Sequence, residues 1–92
     1  MKVIFAKFFS KDLEKIKDAT LQKEIIRAII AFENSKNILL ISNVIKMKGH
    51  PEAYRMRIEK YRLGFYFDGE TIELNRFVKR EDIYKLFLNL IN

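Results

Sequence analysis

The 92-residue sequence contains no cysteine and no tryptophan, and it has only one proline, one histidine and three glycines. Without cysteine the chain has neither disulfides nor thiolate metal sites, which fits a reducing compartment. The single histidine, His50, stands in the stretch "GHPE", and no cysteine or second histidine accompanies it. We therefore assign His50 to a loop, and we expect no metal site and no cofactor.

The sequence also lacks long apolar runs and the common catalytic motifs. No run approaches the roughly 18 residues that a membrane span needs. The opening "MKVIFAKFFSKD" places a lysine inside a short apolar run without a small-residue cleavage site, unlike a signal peptide. No glycine-rich phosphate loop, HExxH or nucleophile elbow is present. We therefore expect a cytoplasmic protein with no membrane partner.

The residues that are present are apolar and basic, in the proportions of a folded protein. Hydrophobic residues make up 49% of the chain and charged residues 33%, and the length suits one domain, residues 1–92. The net charge of +6 points to a polyanionic partner such as nucleic acid. Six lysines or arginines against two acids lie within residues 46–62. This local excess indicates a site and not solubility alone.

The spacing of apolar residues predicts an α+β fold. "KVIFAK" predicts a strand, Ser10 a helix N-cap, and the stretch after Thr20 a longer helix. The apolar stripe of that helix is Leu21, Ile25, Ala28, Ile29 and Phe32. A short turn or helix then leads into a loop, and "REDIYKLFLNLIN" predicts a C-terminal helix. We expect the N-terminal strand and the helical hairpin to pack on one side of a small antiparallel sheet, followed by the C-terminal helix.

Two consecutive hairpins are predicted between residues 54 and 75. Asp68-Gly69 is typical of a two-residue type I′ turn, which pairs Phe67 with Glu70. An even-numbered turn centred on residues 59–60 joins the first two strands. Because side chains alternate along a strand, one face of the sheet is apolar and the other polar. The predicted core face carries Tyr54, Met56, Ile58, Tyr61, Leu63, Phe65, Ile72 and Leu74.

The predicted polar face gathers arginines that repel one another. Arg57 lies opposite Arg62, and like charges that face each other across strands destabilise a sheet. Arg55 lies opposite Gly64, whose missing side chain leaves a gap where a ligand can approach the backbone. Because the planar guanidinium group suits phosphate, this face predicts a phosphate-binding site. The alternative is a solvated polar face that Glu73 partly neutralises.

Four motifs follow one another through the second half of the chain. They are K-M-K-G at 46–49, Y-R-M-R at 54–57, Y-R-L at 61–63 and K-R-E-D-I-Y at 79–84. In this order they resemble the signature of RelE/ParE-type toxins from prokaryotic type II toxin–antitoxin systems. The opening "VIFAKFFSKDLEKI" also fits the first strand and helix of that family. The resemblance implies a compact, microbial-RNase-like α+β fold.

The RelE-like branch of the family implies an endoribonuclease that cleaves mRNA in the ribosomal A site and inhibits translation. In that branch the ribose 2′-hydroxyl attacks the scissile phosphate without a metal ion. Carried over by motif, the catalytic residues are Arg57, Arg62, Arg80 and Tyr84. The phosphate-binding residues are Lys46, Lys48, Arg55 and Lys79. Because arginine does not deprotonate in proteins, the proton acceptor stays open among Tyr84, the three lysines and, more remotely, His50.

The resemblance also implies the partners of the chain and leaves two other functions open. The partners are an acidic antitoxin, mRNA, the ribosome with its 16S rRNA, and operator DNA through the antitoxin complex. The antitoxin would cover the basic face or the apolar flank of the last helix, residues 83–91. One alternative is a ParE-like inhibitor of DNA gyrase. The other is an attenuated, non-catalytic relative that keeps only the antitoxin and operator complexes.

Overall fold

The computed structural model describes residues 1–88 as strands on which helices pack. The strands are β1 Lys2–Phe5, β2 Val44–Lys46, β3 Ala53–Ile58, β4 Tyr61–Phe67 and β5 Thr71–Lys79. The α-helices are α1 Lys7–Glu14, α2 Ala19–Asn34 and α3 Ile83–Phe87, and 3₁₀ turns lie at Ile38–Leu40 and Arg80–Asp82. The prediction of an α+β fold is confirmed. The last predicted residues of the C-terminal helix, 89–91, lie outside the described residues.

The sheet is mixed, where the sequence pattern predicts antiparallel pairing alone. Its strand order is β1-β5-β4-β3-β2, and the β1–β5 pair is parallel while the other pairs are antiparallel. Parallel neighbours need a long crossover, and here the helices and the other three strands lie between β1 and β5 in the sequence. The sequence pattern does not predict β2, because three residues are too few to show an alternation.

Helix α2 forms as its sequence predicts. The Asp18 carboxylate accepts hydrogen bonds from the backbone N–H groups of Thr20 (2.8 Å) and Leu21 (3.1 Å). These bonds satisfy two of the donors that a helix start leaves without a partner. The predicted stripe faces the interior, with Ile29 half-buried. Its fully buried members are Leu21, Ile25, Ala28 and Phe32.

Helix α1 begins earlier than the predicted N-cap at Ser10, so that prediction is wrong. The helix starts at Lys7 directly after β1, and the Ser10 N–H donates to the Ala6 carbonyl at 3.2 Å. This early start turns Phe9 and Asp12 toward the interior, where both are buried. The apolar side of the helix therefore includes "KFF", which the sequence pattern assigns to the end of the strand.

The two faces of the sheet are covered by different helices, which corrects the predicted one-sided packing. On the core face, Phe32 of α2 packs on Phe65 with ring centroids 4.9 Å apart. On the opposite face, Phe87 of α3 packs on Tyr66, also at 4.9 Å. A Cβ atom at Gly64 would lie 2.6 Å from Cδ2 of Phe87. The predicted gap over Gly64 is therefore filled by a side chain, and the prediction of a ligand there is wrong.

The β4–β5 hairpin has a longer turn than the predicted type I′ turn. Phe67 pairs with Ile72, so four residues form the loop. The Asp68 carboxylate accepts from the N–H groups of Glu70 (2.9 Å) and Thr71 (2.8 Å), and these bonds lower its pKa. A shift of two residues keeps every side chain on its predicted face. A bulge between the Phe65–Leu74 and Gly64–Arg76 pairs then changes the register again.

Candidate phosphate-binding site on the arginine face

The β3–β4 hairpin brings the arginines together in the predicted register. Arg57 pairs with Arg62, and Arg55 pairs with Gly64. A two-residue turn at 59–60 closes the hairpin, and Glu59 adopts left-handed backbone with φ +56°. Because these arginines alternate with core residues, they project from the face opposite α2. We call this side of the sheet the arginine face.

Arg62 lies at the centre of the positive charge. Burial first, and then the charges of Arg55, Arg80 and Arg57, lower its pKa from the ordinary value. Its Nη1 donates to the carbonyl oxygens of Tyr61 (2.8 Å) and Glu59 (3.3 Å). Within residues 1–88 the salt bridges involve other arginines, so no carboxylate neutralises this group. An anion is the partner that this arrangement lacks.

A hollow of about 370 Å³ opens among the arginines, lined by Asn43, Ile45, Arg55, Arg57 and Arg62. We call it the arginine hollow. Asn43 has φ +68°, and its side-chain oxygen accepts from Arg57 Nη2 at 3.5 Å. Its carbonyl oxygen accepts from the Arg57 N–H at 3.0 Å. The sequence-based prediction misses Asn43, although asparagine before a strand is a usual choice for left-handed backbone.

Tyr84 and Arg80 reach the arginine face from the C-terminal segment. The Cζ atom of Arg55 lies 5.8 Å from the centroid of the Tyr84 ring, within reach of a cation–π contact. Tyr84 is 54% exposed, so a ligand has access to it. The Arg80 N–H donates to the Lys60 carbonyl at 2.9 Å, and this bond fixes the segment beside the hairpin. The predicted group of Arg55, Arg57, Arg62, Arg80 and Tyr84 is thus assembled in one place.

The predicted lysines do not join this group. Lys46 pairs with Tyr54 and Lys79 pairs with Tyr61. Both tyrosines lie on the core face, where Tyr54 stacks on Phe65 and Tyr61 on Phe77. Strand alternation therefore directs Lys46 and Lys79 away from the arginine face. Lys48 is exposed in the turn between β2 and β3, and His50 lines a separate depression with Lys46.

Arg76 is a further arginine, to which the sequence pattern assigns no function. The Asp12 carboxylate accepts from Arg76 Nε at 2.8 Å and Nη2 at 3.1 Å, and from the Phe77 N–H at 2.8 Å. Arg76 Nη1 also donates to the Leu86 carbonyl at 3.3 Å. The pair joins α1, β5 and the end of α3. Its geometry is that of a structural contact.

Two further observations bear on the expected absence of metal and membrane. Among the side chains of residues 1–88, no group of three or more His, Cys, Asp or Glu is arranged to hold a metal ion. None of the helices in this part of the chain is both long and apolar enough to cross a bilayer. Metal independence of the chemistry stays a prediction.

Comparison with known proteins decides the family. No family model matches the chain. Over 88 residues, however, it is 38% identical to Toxin RelE3 of Methanocaldococcus jannaschii, a match that covers 95% of this chain and 99% of the relative. The chain belongs to the RelE family. The predicted resemblance is confirmed, and RelE proteins are the toxins of toxin–antitoxin systems.

Solved structures show the RelE fold in the same arrangement. RelE in the RelB-RelE antitoxin-toxin complex from Methanococcus jannaschii superposes with a TM-score of 0.78 at 34% identity, covering 91% of this chain and 98% of that chain. The archaeal RelE-RelB complex from Pyrococcus horikoshii OT3 gives 0.69 at 19% identity, with coverages of 86% and 93%. The second likeness shows the fold alone. The assignment of individual residues to RelE chemistry stays a prediction.

Proposed function

We propose that this RelE-family toxin is a ribosome-dependent endoribonuclease that cleaves mRNA in the A site. In the reaction, the ribose 2′-oxygen forms a bond to phosphorus while the bond from phosphorus to the 5′-oxygen breaks. The protein must hold the reacting groups in line and stabilise the charge that grows on the phosphoryl oxygens. No metal ion is needed for either task. The supporting observation is the convergence of four arginines on one hollow without a carboxylate partner among the described residues.

Each arginine contributes differently to the proposed reaction. Arg57 and Arg62 face each other across the hairpin, so a phosphate between them converts repulsion into two charge-assisted contacts. Arg80 adds positive charge at Arg62, and Arg55 lies between the hollow and Tyr84. A guanidinium group forms short hydrogen bonds to phosphate and keeps its proton at every physiological pH. These arginines bind and stabilise phosphate but do not accept a proton.

Tyr84 is the side chain that we propose at the reacting 2′-hydroxyl. Of the proton acceptors considered, Lys46 and Lys79 project from the other face of their strands, whereas Tyr84 lies against Arg55. Its exposure leaves the phenol oxygen open to an RNA chain. Positioning together with electrostatic stabilisation supplies most of the rate enhancement in this scheme. Tyr84→Phe should therefore lower the cleavage rate more than it lowers RNA affinity.

An acidic antitoxin is the proposed protein partner, and it inhibits by covering the arginine face. The Methanococcus jannaschii neighbour is a complex of RelE with the antitoxin RelB. In the present chain, exposed apolar side chains of Ile45, Tyr84 and Leu86 border the arginines. A partner with acidic and apolar residues fits this surface. Unchanged affinity of the cognate antitoxin for a toxin carrying Arg55→Glu and Arg57→Glu would contradict this binding mode.

The cleavage reaction can be tested on ribosomes that carry a defined mRNA, with cut sites mapped by primer extension. We expect a cut within the A-site codon and none in the same mRNA without ribosomes. Arg62→Ala should slow cleavage by roughly 100- to 1,000-fold, the usual effect of removing one charge-stabilising donor. Lys36→Ala removes one exposed positive charge outside the arginine face and should cleave like the unmodified protein.

Two results would overturn the proposal. Full cleavage by a folded double variant with Arg57→Ala and Arg62→Ala would remove the arginines from the chemistry. Intact mRNA in cells whose growth the toxin still arrests would make the arginine face a protein-binding surface. Gyrase-dependent DNA damage in those cells would then identify a ParE-like activity.

A further inference from the structure

A second, larger recess adjoins the arginine hollow. It has a volume of about 740 Å³ and lies between α2, residues 40–43 and the end of β3. Asn43 and Arg57 line both spaces, so they form the boundary between them. We call this recess the neutral groove, for the reason given next.

The neutral groove and the arginine hollow differ in charge. Three arginines and no acid line the hollow. The charged residues of the groove are two arginines and two glutamates, namely Arg27, Arg57, Glu24 and Glu59. Arg27 Nη1 bonds to Glu24 Oε2 at 3.0 Å, so these two charges neutralise each other. A cationic space therefore lies beside a space of zero formal charge, and the boundary between them is one residue pair.

The walls of the neutral groove are apolar, and its rim is polar. Ala31 and Leu40 contribute apolar surface, and Ser42 and Asn43 contribute hydrogen-bonding groups. Leu40 is 82% exposed, so its side chain is available to a ligand. The volume lies in the range of small-ligand sites, which combine apolar walls with a few polar groups. An unstacked nucleobase has the same character, since its faces are apolar and its edges form hydrogen bonds.

We propose that the neutral groove binds the base of an RNA nucleotide whose neighbouring phosphate occupies the arginine hollow. The inference rests on the proposed nuclease function and adds a base-binding subsite to it. Phosphate and base alternate along an RNA strand as charged and neutral groups, and the two recesses follow the same order. Asn43 holds its left-handed backbone at the boundary, and strained backbone of this kind clusters at functional sites. Its amide can bond to a base edge while its carbonyl holds Arg57.

The test compares a 2′-O-methyl trinucleotide, which cannot be cleaved, with two copies that lack the first or the last base. Affinities are measured by NMR titration at low ionic strength, because salt weakens phosphate contacts. We expect the loss of one of these bases to weaken binding roughly tenfold, a usual contribution of one stacked base. Leu40→Ala should abolish most of this difference without changing the affinity for the abasic trinucleotide.

Matched variants separate the groove from the rest of the surface. Leu39 is 67% exposed and does not line the groove, so Leu39→Ala should keep the full preference for the base. Ala31→Leu fills the groove from α2 and should act like Leu40→Ala, whereas Ile30→Leu on the same helix should not. Agreement between the two groove variants would support the subsite.

The outcomes distinguish this inference from the proposed function. Equal affinity for the intact and both abasic trinucleotides, with binding lost in Arg62→Ala, would overturn the subsite and leave the phosphate site standing. Equal effects of Leu39→Ala and Leu40→Ala would also overturn it. Binding of none of the trinucleotides would overturn both proposals.

Discussion

Gly64 separates two arginines that have different surroundings. It pairs with Arg76 on β5 and with Arg55 on β3. Arg76 donates two hydrogen bonds to the carboxylate of Asp12, a side chain that is only 7% exposed. Arg55 instead lies against the exposed ring of Tyr84 and has no carboxylate partner within residues 1–88. Phe87 packs over Gly64, between these two regions.

The difference separates an arginine that maintains the fold from arginines that are open to a ligand. A buried ion pair gives little net stability over an apolar pair, but removing one partner strands a charge. An unpaired cluster behaves in the opposite way, since each member raises the energy of the others. The lowered pKa of Arg62 means that its charged form is less favourable in the folded chain than in the unfolded chain. Stability is therefore gained where arginine is paired, and anion affinity where it is not.

Asp12→Ala should produce the largest effect on stability. The change leaves Arg76 without its carboxylate and the Phe77 N–H without an acceptor. We expect the free energy of unfolding to fall by about 3–5 kcal/mol, as for other broken buried pairs. Urea denaturation followed by circular dichroism measures this loss. Asp12→Asn, which keeps an acceptor for Phe77, should be less harmful.

Two variants calibrate that result against the other carboxylate and arginine environments. Asp18 also accepts two backbone bonds, but at the start of α2, so Asp18→Ala should cost only about 1 kcal/mol. Arg62→Ala removes a charge whose folded-state pKa is lowered, so at neutral pH its unfolding midpoint should be unchanged or higher. A loss of stability in Arg62→Ala comparable to that in Asp12→Ala would refute the distinction between the two regions.

Gly64→Ala should disturb the boundary between the regions with a smaller effect. The new Cβ would lie 2.6 Å from Phe87 Cδ2, so the ring and α3 must shift. Overpacking of this kind typically costs about 1–3 kcal/mol. Because Tyr84 lies on the same helix, we expect slower mRNA cleavage as well. Calorimetry and the ribosome assay measure the two consequences.

Relief of the clash is the control for Gly64→Ala. Combining it with Phe87→Leu shortens the side chain that the new Cβ meets. The double variant should therefore be more stable than the sum of the two single changes predicts, which is the signature of residues in contact. Strict additivity would show that Phe87 does not pack against residue 64.

The parts of the site that the sequence predicted are those governed by local periodicity. The opposition of Arg57 and Arg62 depends only on a two-residue turn and on alternation along two strands. The α2 stripe likewise follows from helical spacing within one segment. By contrast, Lys79 and Arg80 are adjacent in a family motif, yet β5 ends between them and Lys79 belongs to the core face. A linear motif does not encode that division.

The features that the sequence did not predict depend on distant residues. Asp12 and Arg76 are 64 positions apart, and neither belongs to a pattern that marks the other. The bulge at residue 75 and the four-residue loop before it change the register of β5 without changing its apolar pattern. Phe87 occupies the space over Gly64 because α3 crosses the arginine face, and only tertiary packing decides which face a short helix covers.

Tyr66 offers the smallest and most local test of the boundary. Its ring packs on Phe87, and burial first and then Glu73 raise the pKa of its phenol. A raised folded-state pKa makes stability fall as pH rises from about 10, the unfolded value, through the folded-state pKa. Tyrosinate absorbance should therefore show one phenol that ionises late, and this phenol should be absent in Tyr66→Phe. If α3 left this part of the sheet open, Tyr66 would titrate with the exposed Tyr84.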